Sequence, residues 1–306
     1  MAYKDRAEPK NNNIVILVVG GLFLIAILVI IGYSFASGPF EGCVGVVSIN
    51  GEIVSQDIPS SIFSDEVLGS ETMAGEIASA DSRSDVKSVL VLIDSPGGSV
   101  VGSKQIYDAV RALNKYSVSY INEMAASGGY YVAAGTDYIV ANPDSITGSI
   151  GARATFTEMS GLFGKLGINE TTIKTGAMKD IGSSSRPMTD DERALIQGIV
   201  NESFQQFKSD VEIGRGSRLN YQLFQPVLDA RILSGRQAKK IGLVDALGDK
   251  KAAIKKAAEL GGITSDDPRL CELSSTGAQR GLLGSLSAQT IDFLVRSSGM
   301  PKLQYR

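Results

Sequence analysis

The 306-residue sequence has no histidine and only two cysteines, Cys43 and Cys271. The first absence excludes a Ser-His-Asp triad, a Cys-His pair and any histidine-ligated zinc. A general base must then come from Asp, Glu, Lys, Tyr or the amino terminus. Two cysteines permit one disulfide at most, and only an oxidising compartment would keep it. Spacing alone cannot pair them, so the plainer expectation is one buried thiol and one incidental thiol. A basic excess is also lacking: 30 Lys and Arg stand against 33 Asp and Glu, a net charge of −3. That balance leaves no electrostatic footprint for nucleic acid. The chain has no internal repeat and no low-complexity tract, and its composition is that of an ordinary globular protein with a real core.

Charge is missing altogether from residues 14–36, IVILVVGGLFLIAILVIIGYSFA. The apolar run from Ile14 to Ile31 is about long enough to cross a hydrocarbon layer of ~30 Å. Lys4, Arg6 and Lys10 precede it, and no further Lys or Arg occurs until Arg83. This bias predicts a cytoplasmic N-terminus over residues 1–13, an anchor over 14–36, and everything after it outside. Ser34-Phe35-Ala36 resembles a small-x-small cleavage site, so a cleaved signal peptide is the alternative. The apolar run exceeds the usual signal-peptide length, which favours an uncleaved anchor.

From Cys43 to about Gly262, apolar runs of strand length alternate with helical runs. Strands are expected at Cys43–Asn50, Lys87–Asp94, Ser117–Asn122, Tyr138–Ala141, Asn169–Lys174 and Leu243–Asp245. Helices are expected at Ser70–Ala80, Val100–Lys115, Ala126–Gly135, Thr189–Gly214, Ser234–Ile241 and Lys250–Leu260. Residues 142–151 read as a loop. Lys87–Asp94 is apolar almost throughout, as in a sheet covered on both faces. The pattern is that of an α/β sandwich with helices outside. The tail, 263–306, is looser, with a possible amphipathic helix over Gly281–Val295 and an extended end over Met300–Arg306.

Three places carry chemistry. Ser127, in Ala125-Ala126-Ser127-Gly128-Gly129-Tyr130, lies between a strand and a helix. Its small neighbours allow close approach, and the helix start attracts developing negative charge. It could equally be an N-cap serine. Ser95-Pro96-Gly97-Gly98-Ser99 joins a buried strand to a helix and could supply an oxyanion donor, or be a plain tight turn. It lacks the spacings of the phosphate-binding glycine loops. Lys179 is a candidate base, although free lysine titrates near ~10.4 and would have to be shifted to about 7. The neighbouring Asp180 opposes such a shift unless the segment is extended, which would turn adjacent side chains to opposite faces. A solvated surface lysine is the alternative.

Taken in order, Asp94-Ser95-Pro96-Gly97-Gly98, Met124–Tyr131, Thr147-Gly148-Ser149-Ile150-Gly151 and Gly176-Ala177-Met178-Lys179-Asp180 closely resemble the signal peptide peptidase SppA family, over roughly residues 43–262. The resemblance implies a Clp-protease/crotonase-like fold of repeated ββα units and a Ser–Lys peptidase without metal or cofactor. By position, Ser127 would be the nucleophile, Lys179 the base, Ser149 the residue that orients Lys179, and Gly98 and Gly128 the oxyanion donors. It also implies a ring-like homo-oligomer, by analogy an octamer, in which serine and lysine can come from neighbouring subunits. The expected substrates are signal-peptide remnants at the membrane. Pro301–Arg306 could enter a groove as a pseudo-substrate. Other classes remain open: an acyl-CoA enzyme on the same fold, which an outside location disfavours, and a non-catalytic scaffold.

Overall fold

The computed structural model describes residues 20–28, 42–60 and 67–273. The chain divides into two compact units, Met1–Gly42 and Cys43–Arg306. In the first, residues 20–28 form a helix, α1, with exposed side chains. Among the described residues no helix is long and apolar enough to cross a membrane. Most of the expected anchor lies outside those residues, as do Gly281–Val295 and Met300–Arg306.

The second unit is built on a sheet whose centre is β1 (Cys43–Ile53), β2 (Val86–Gly98) and β3 (Ser117–Ala126). Val89, Leu90 and Val91 are consecutive and wholly buried, so β2 is covered on both faces. Val89 and Val91 pack in a cluster with Val47, Ile49, Met73, Ile77, Ile106 and Tyr107. That cluster takes in α2 (Ser70–Ser82), α3 (Val100–Arg111) and α4 (Gly128–Ala134). Leu90 points the other way, into a cluster with Val44, Val46, Val118, Ala253 and Ala257 under α9 (Lys250–Leu260). Each buried aliphatic side chain contributes roughly 1.5–3 kcal/mol.

Among the described residues the sheet runs β6 (Ile232–Ser234), β5 (Ile146–Gly148), β3, β2, β1, β8 (Leu270–Glu272), with β4 (Tyr138–Ala141) branching from β3 to β7 (Ala246–Leu247). Pairing is parallel except between β5 (Ile146–Gly148) and β6 (Ile232–Ser234). β3 changes partner along its length. Val118–Ile121 pair with β4, and Met124–Ala126 pair with β5. Ser127 follows where those partners have diverged.

The mixed α/β class is as expected, but several details differ. Asn169–Lys174 is not a strand; all six residues are exposed and no sheet edge reaches them. The strand expected at Leu243–Asp245 falls at β7 instead. β5 and β6 lie in stretches too short to show periodicity. β8 (Leu270–Glu272) lies in the tail and pairs with β1. Cys43 and Cys271 are bonded to each other across a sequence separation of 228, which replaces the expectation of two unrelated thiols. Arg83 Nη1 also donates to the Glu272 carbonyl at 2.7 Å.

The return from the site is α6 (Asp190–Arg215), whose start is fixed by a capping box between Thr189 and Glu192. Its last residue, Arg215, is 1% exposed and grips Asp245 with two bonds, of 2.7 and 2.9 Å. Burial pulls the Arg215 guanidinium down, but the bonds from Asp245 outweigh that and leave it raised.

Candidate functional site

Ser127 opens α4 but does not cap it. Ser99, Thr189 and Ser234 each accept a bond from the amide three residues on, and so hold the starts of α3, α6 and α8 (Gly235–Ile241). Ser127 makes no such bond and sits at φ 51°, ψ −122°, outside the conformation a capping serine adopts. Its amide donates to the Gly148 carbonyl at 2.9 Å, and its carbonyl accepts from Tyr131 at 2.9 Å. The backbone is therefore locked while the hydroxyl is left free.

A cleft of about 620 Å³ opens over Ser127. Among the described residues only Ser127, Ser149 and Ala230 are non-glycine residues with positive φ, and all three line this cleft. Such backbone costs on the order of 1–3 kcal/mol per residue, and strain collected at one concave place marks a functional site. Ser149 is held from behind by its amide, which donates to the Arg231 carbonyl at 2.9 Å.

The glycine end of β2 forms the opposite wall. A Cβ at Gly97 would lie 2.6 Å from the Gly128 nitrogen and 2.9 Å from Ser127 Cβ, so this end touches the start of α4. Gly98 has φ 156°, and a Cβ there would meet the Ile53 carbonyl oxygen at 2.2 Å. The Gly97 amide is taken by Ser95 Oγ at 3.1 Å. The amides of Gly128, Gly129 and Tyr130 are in the first turn of α4, where the helix supplies no partner. Asp94 ties β2 to β3: its Oδ1 accepts from the Met124 amide and its Oδ2 from Asn122 Nδ2, both at 3.2 Å.

Ser127, Ser149, Gly98 and Gly128 are thus brought together. Lys179 is not. It lies on a one-turn 3-10 helix, Ala177–Asp180, is exposed, and does not line the Ser127 cleft. No residue from 151 to 191 except Ala152 and Arg153 at its base reaches the cleft beyond Gly151, and none in that span is buried. This arm runs out from β5 through α5 (Ser160–Leu166) and returns to α6. Its two limbs touch where the Met159 amide donates to the Ser184 carbonyl at 2.7 Å. A groove of about 680 Å³, lined by Phe156, Arg186 and Val200 among others, runs between the arm and α6 and does not include Ser127.

The segment around Lys179 is helical rather than extended, so the expected escape from Asp180 does not operate. Another one does. Arg186 bonds Asp180 through Nε at 3.0 Å and Nη2 at 2.6 Å, and Lys174 bonds it as well. Those bonds hold the Asp180 carboxyl well below the usual range. Its charge is thus already engaged by two other cations. Arg186 also bonds Glu192, which lowers that carboxyl to about 2 and ties the arm to the start of α6. Glu192 was visible in the sequence only as part of the Thr-Asp-Asp-Glu helix start, and Arg186 did not stand out.

Among the described residues, the one cluster with metal-ligating groups is Cys43, Asp85 and Cys271, whose sulfurs are spent on each other.

Residues 109–264 match peptidase family S49, and residues 62–145 match the Clp protease family. The candidate protease MJ0651 of Methanocaldococcus jannaschii is 44% identical over 184 residues, 60% of this chain and 58% of that protein. The candidate protease slr0021 of Synechocystis sp. is 36% identical over 71% of this chain and 84% of its own length. A candidate signal peptide peptidase SppA of Enterococcus faecium is 33% identical over 68% of this chain and 60% of its own. The chain therefore spans between 58% and 84% of these relatives.

Proposed function

The chain belongs to peptidase family S49, and from that premise we propose that it is a membrane-anchored serine endopeptidase with Ser127 as nucleophile and Lys179 as base. One observation carries the reading: Ser127 stands uncapped and strained at the floor of a cleft, between the glycine end of a strand and a helix start.

In the proposed reaction the neutral Lys179 amine takes the proton from Ser127, whose Oγ attacks a peptide carbonyl. The oxyanion is held by the amides of Gly98 and Gly128. Lys179 then gives the proton to the leaving amine, and the acyl-enzyme is hydrolysed by a water that Lys179 activates. Ser149, which shares the cleft with Ser127, orients the lysine.

Lys179 reaches the cleft from a neighbouring copy in this proposal. The exposed arm supports that arrangement: Leu162, Leu166, Ile168 and Ile173 are 51%, 63%, 49% and 97% exposed in one chain. Apolar side chains displayed this way over a long segment are expected to be covered by a partner. A ring-like homo-oligomer would supply one.

The charge-free stretch at residues 14–36 supports an anchor with the catalytic unit outside. The Cys43–Cys271 disulfide supports the same side, because such bonds persist in oxidising compartments. Signal-peptide remnants are the proposed substrates, in keeping with the name of the Enterococcus relative.

The test is peptide hydrolysis by the full chain in detergent, beside Ser127→Ala and Lys179→Ala. Both variants should be inactive, and the unaltered chain should cut the peptide. Full activity in either variant contradicts the proposal.

A further inference from the structure

The chain carries a net charge of −3, yet residues 239–256 hold six lysines and two aspartates, a net charge of +4. Both aspartates are already engaged. Asp245 is gripped by Arg215, and Asp249 Oδ1 caps α9 by accepting from the Ala252 amide at 2.8 Å. Lys256 is engaged as well, bonded to Glu259 at 2.9 Å and lying 4.9 Å from the centre of the Tyr138 ring. The other five, Lys239, Lys240, Lys250, Lys251 and Lys255, are exposed. They form one strip. Lys239, in the last turn of α8, bonds the Asp245 carbonyl, and β7 then leads straight into α9. Leu247, 40% exposed, comes between the two groups of lysines.

These charges are placed against the interest of the helix that carries them. α9 has no acidic residue in its first turn, where Lys250 and Lys251 meet the positive end of the helix dipole. Lys251 and Lys255 are four residues apart, a like-charged pair on one face. The long helix α6, by contrast, opens with Asp190, Asp191 and Glu192. Local rules broken in this way are expected where a surface is kept for a function.

We propose that this strip seats the catalytic unit on anionic phospholipid headgroups. The proposal rests on the anchor reading above. Only residues 37–42 separate that span from β1, and six residues reach about 20 Å at most. α9 lies on the strand they lead into. Ala253 and Ala257 pack with Val44 and Val46, and the Ala257 carbonyl accepts from Ser88 Oγ at 2.6 Å, where Ser88 pairs with Val44. The other end of α9 starts just after Gly248, whose amide donates to the carbonyl of Ala141 at the end of β4 at 3.0 Å. The helix therefore runs along the strands, from their starts toward their ends. Clustered lysines on such a face are the chemistry that anionic headgroups attract. A strip held there lays the strands along the membrane surface. The Ser127 cleft, at the ends of β2 and β3, then opens along the bilayer, where a peptide lying among the headgroups can enter it.

The test uses the full chain reconstituted in vesicles of phosphatidylcholine alone or with phosphatidylglycerol. Lysines are acetylated by a reagent that does not cross the bilayer and are read by mass spectrometry. In the anionic vesicles Lys251 and Lys255 should react ~5-fold more slowly or less, the scale of one lysine at a charged surface. Lys165, exposed on the arm, should react alike in both, and high salt should erase the difference. Lys251→Gln with Lys255→Gln changes only exposed positions of α9. The double variant should lose the protection at Lys250 and cut a lipid-linked peptide several-fold more slowly in anionic vesicles, with a soluble peptide cut as before. Equal acetylation in the two kinds of vesicle overturns the proposal. So does protection that is as strong in detergent, which would make a second copy or an acidic protein the occupant. Recovery with neutral vesicles reports the anchor separately. A chain that does not stay with them contradicts the anchor reading and the seat with it, whereas one that stays without lipid-dependent protection overturns the seat alone.

Discussion

The sheet with its covering helices and the arm over residues 151–191 obey opposite rules. In the body, β2 is buried on both faces, and Arg215 and Asp245 are paired in the interior. In the arm no residue is buried, and Ile173 is 97% exposed. The body holds Ser127 in a backbone it would not adopt unaided. The arm carries Lys179 and is attached to the body through Arg186 and Glu192. A body that fixes one residue and an arm that presents another suit a site assembled from two copies, as proposed.

Substitutions can separate the two regions, and the largest effect should come from the site itself. Ser127→Ala should lower kcat by about 10⁴-fold or more, on the scale of nucleophile removal in other serine peptidases. Thermal unfolding should not fall, because the substitution removes no capping bond and leaves both backbone bonds at Ser127 in place. Asp245→Ala should do the reverse. It leaves Arg215 buried without its partner and should cost about 3–5 kcal/mol in stability, read by denaturant unfolding. Activity per folded molecule should be unchanged. If that substitution removes activity without lowering stability, the division between body and site is wrong.

Charging the arm should spare the fold and break the assembly. Leu162→Asp together with Ile173→Asp should leave the unfolding temperature of the body in place and convert the proposed oligomer to smaller species in sedimentation. Activity should drop ~100-fold or more, since a misplaced catalytic group is that costly. Full activity in a monomeric variant would remove the reason for a partner.

The smallest effect is a pH dependence of the arm's attachment. Arg186 holds the carboxyl of Asp180 well below its ordinary value and that of Glu192 at about 2. Groups lowered in the folded state stabilise it above their unfolded values and lose that contribution as pH falls toward the folded ones. Amide exchange in the arm should therefore accelerate from about pH 4.5 down toward 2. Arg186→Met should weaken that dependence, leaving what Lys174 supplies to Asp180 and the Thr189 amide to Glu192. An arm whose exchange is indifferent to pH over this range would show that the pairing contributes little.

The body was legible where a long pattern or a cap signal existed. β4 lies at Tyr138–Ala141 as read, and the Thr189 start of α6 is a true capping box. What escaped has no local signature. β5, β6 and β8 are three residues each, and their pairing depends on distant chain. The weak alternation at Asn169–Lys174 suggested a strand, but a strand needs a neighbour and the arm provides none. Cys43 and Cys271 are neighbours only because β8 returns to β1. Of the site, Ser127, Ser149, Gly98 and Gly128 were visible as motif positions. The choice between nucleophile and helix cap required the backbone angle at Ser127, and the shielding of Asp180 by Arg186 and Lys174 required the fold.

Subunit complementation tests the central proposal most directly. Full-length Ser127→Ala and Lys179→Ala chains, each inactive alone, would be coexpressed and purified as mixed assemblies. If Lys179 serves the Ser127 of another copy, random mixing leaves roughly a quarter of the sites with both residues intact, and activity should return to about that fraction. Mixed assemblies as inactive as either variant would contradict a site shared between chains.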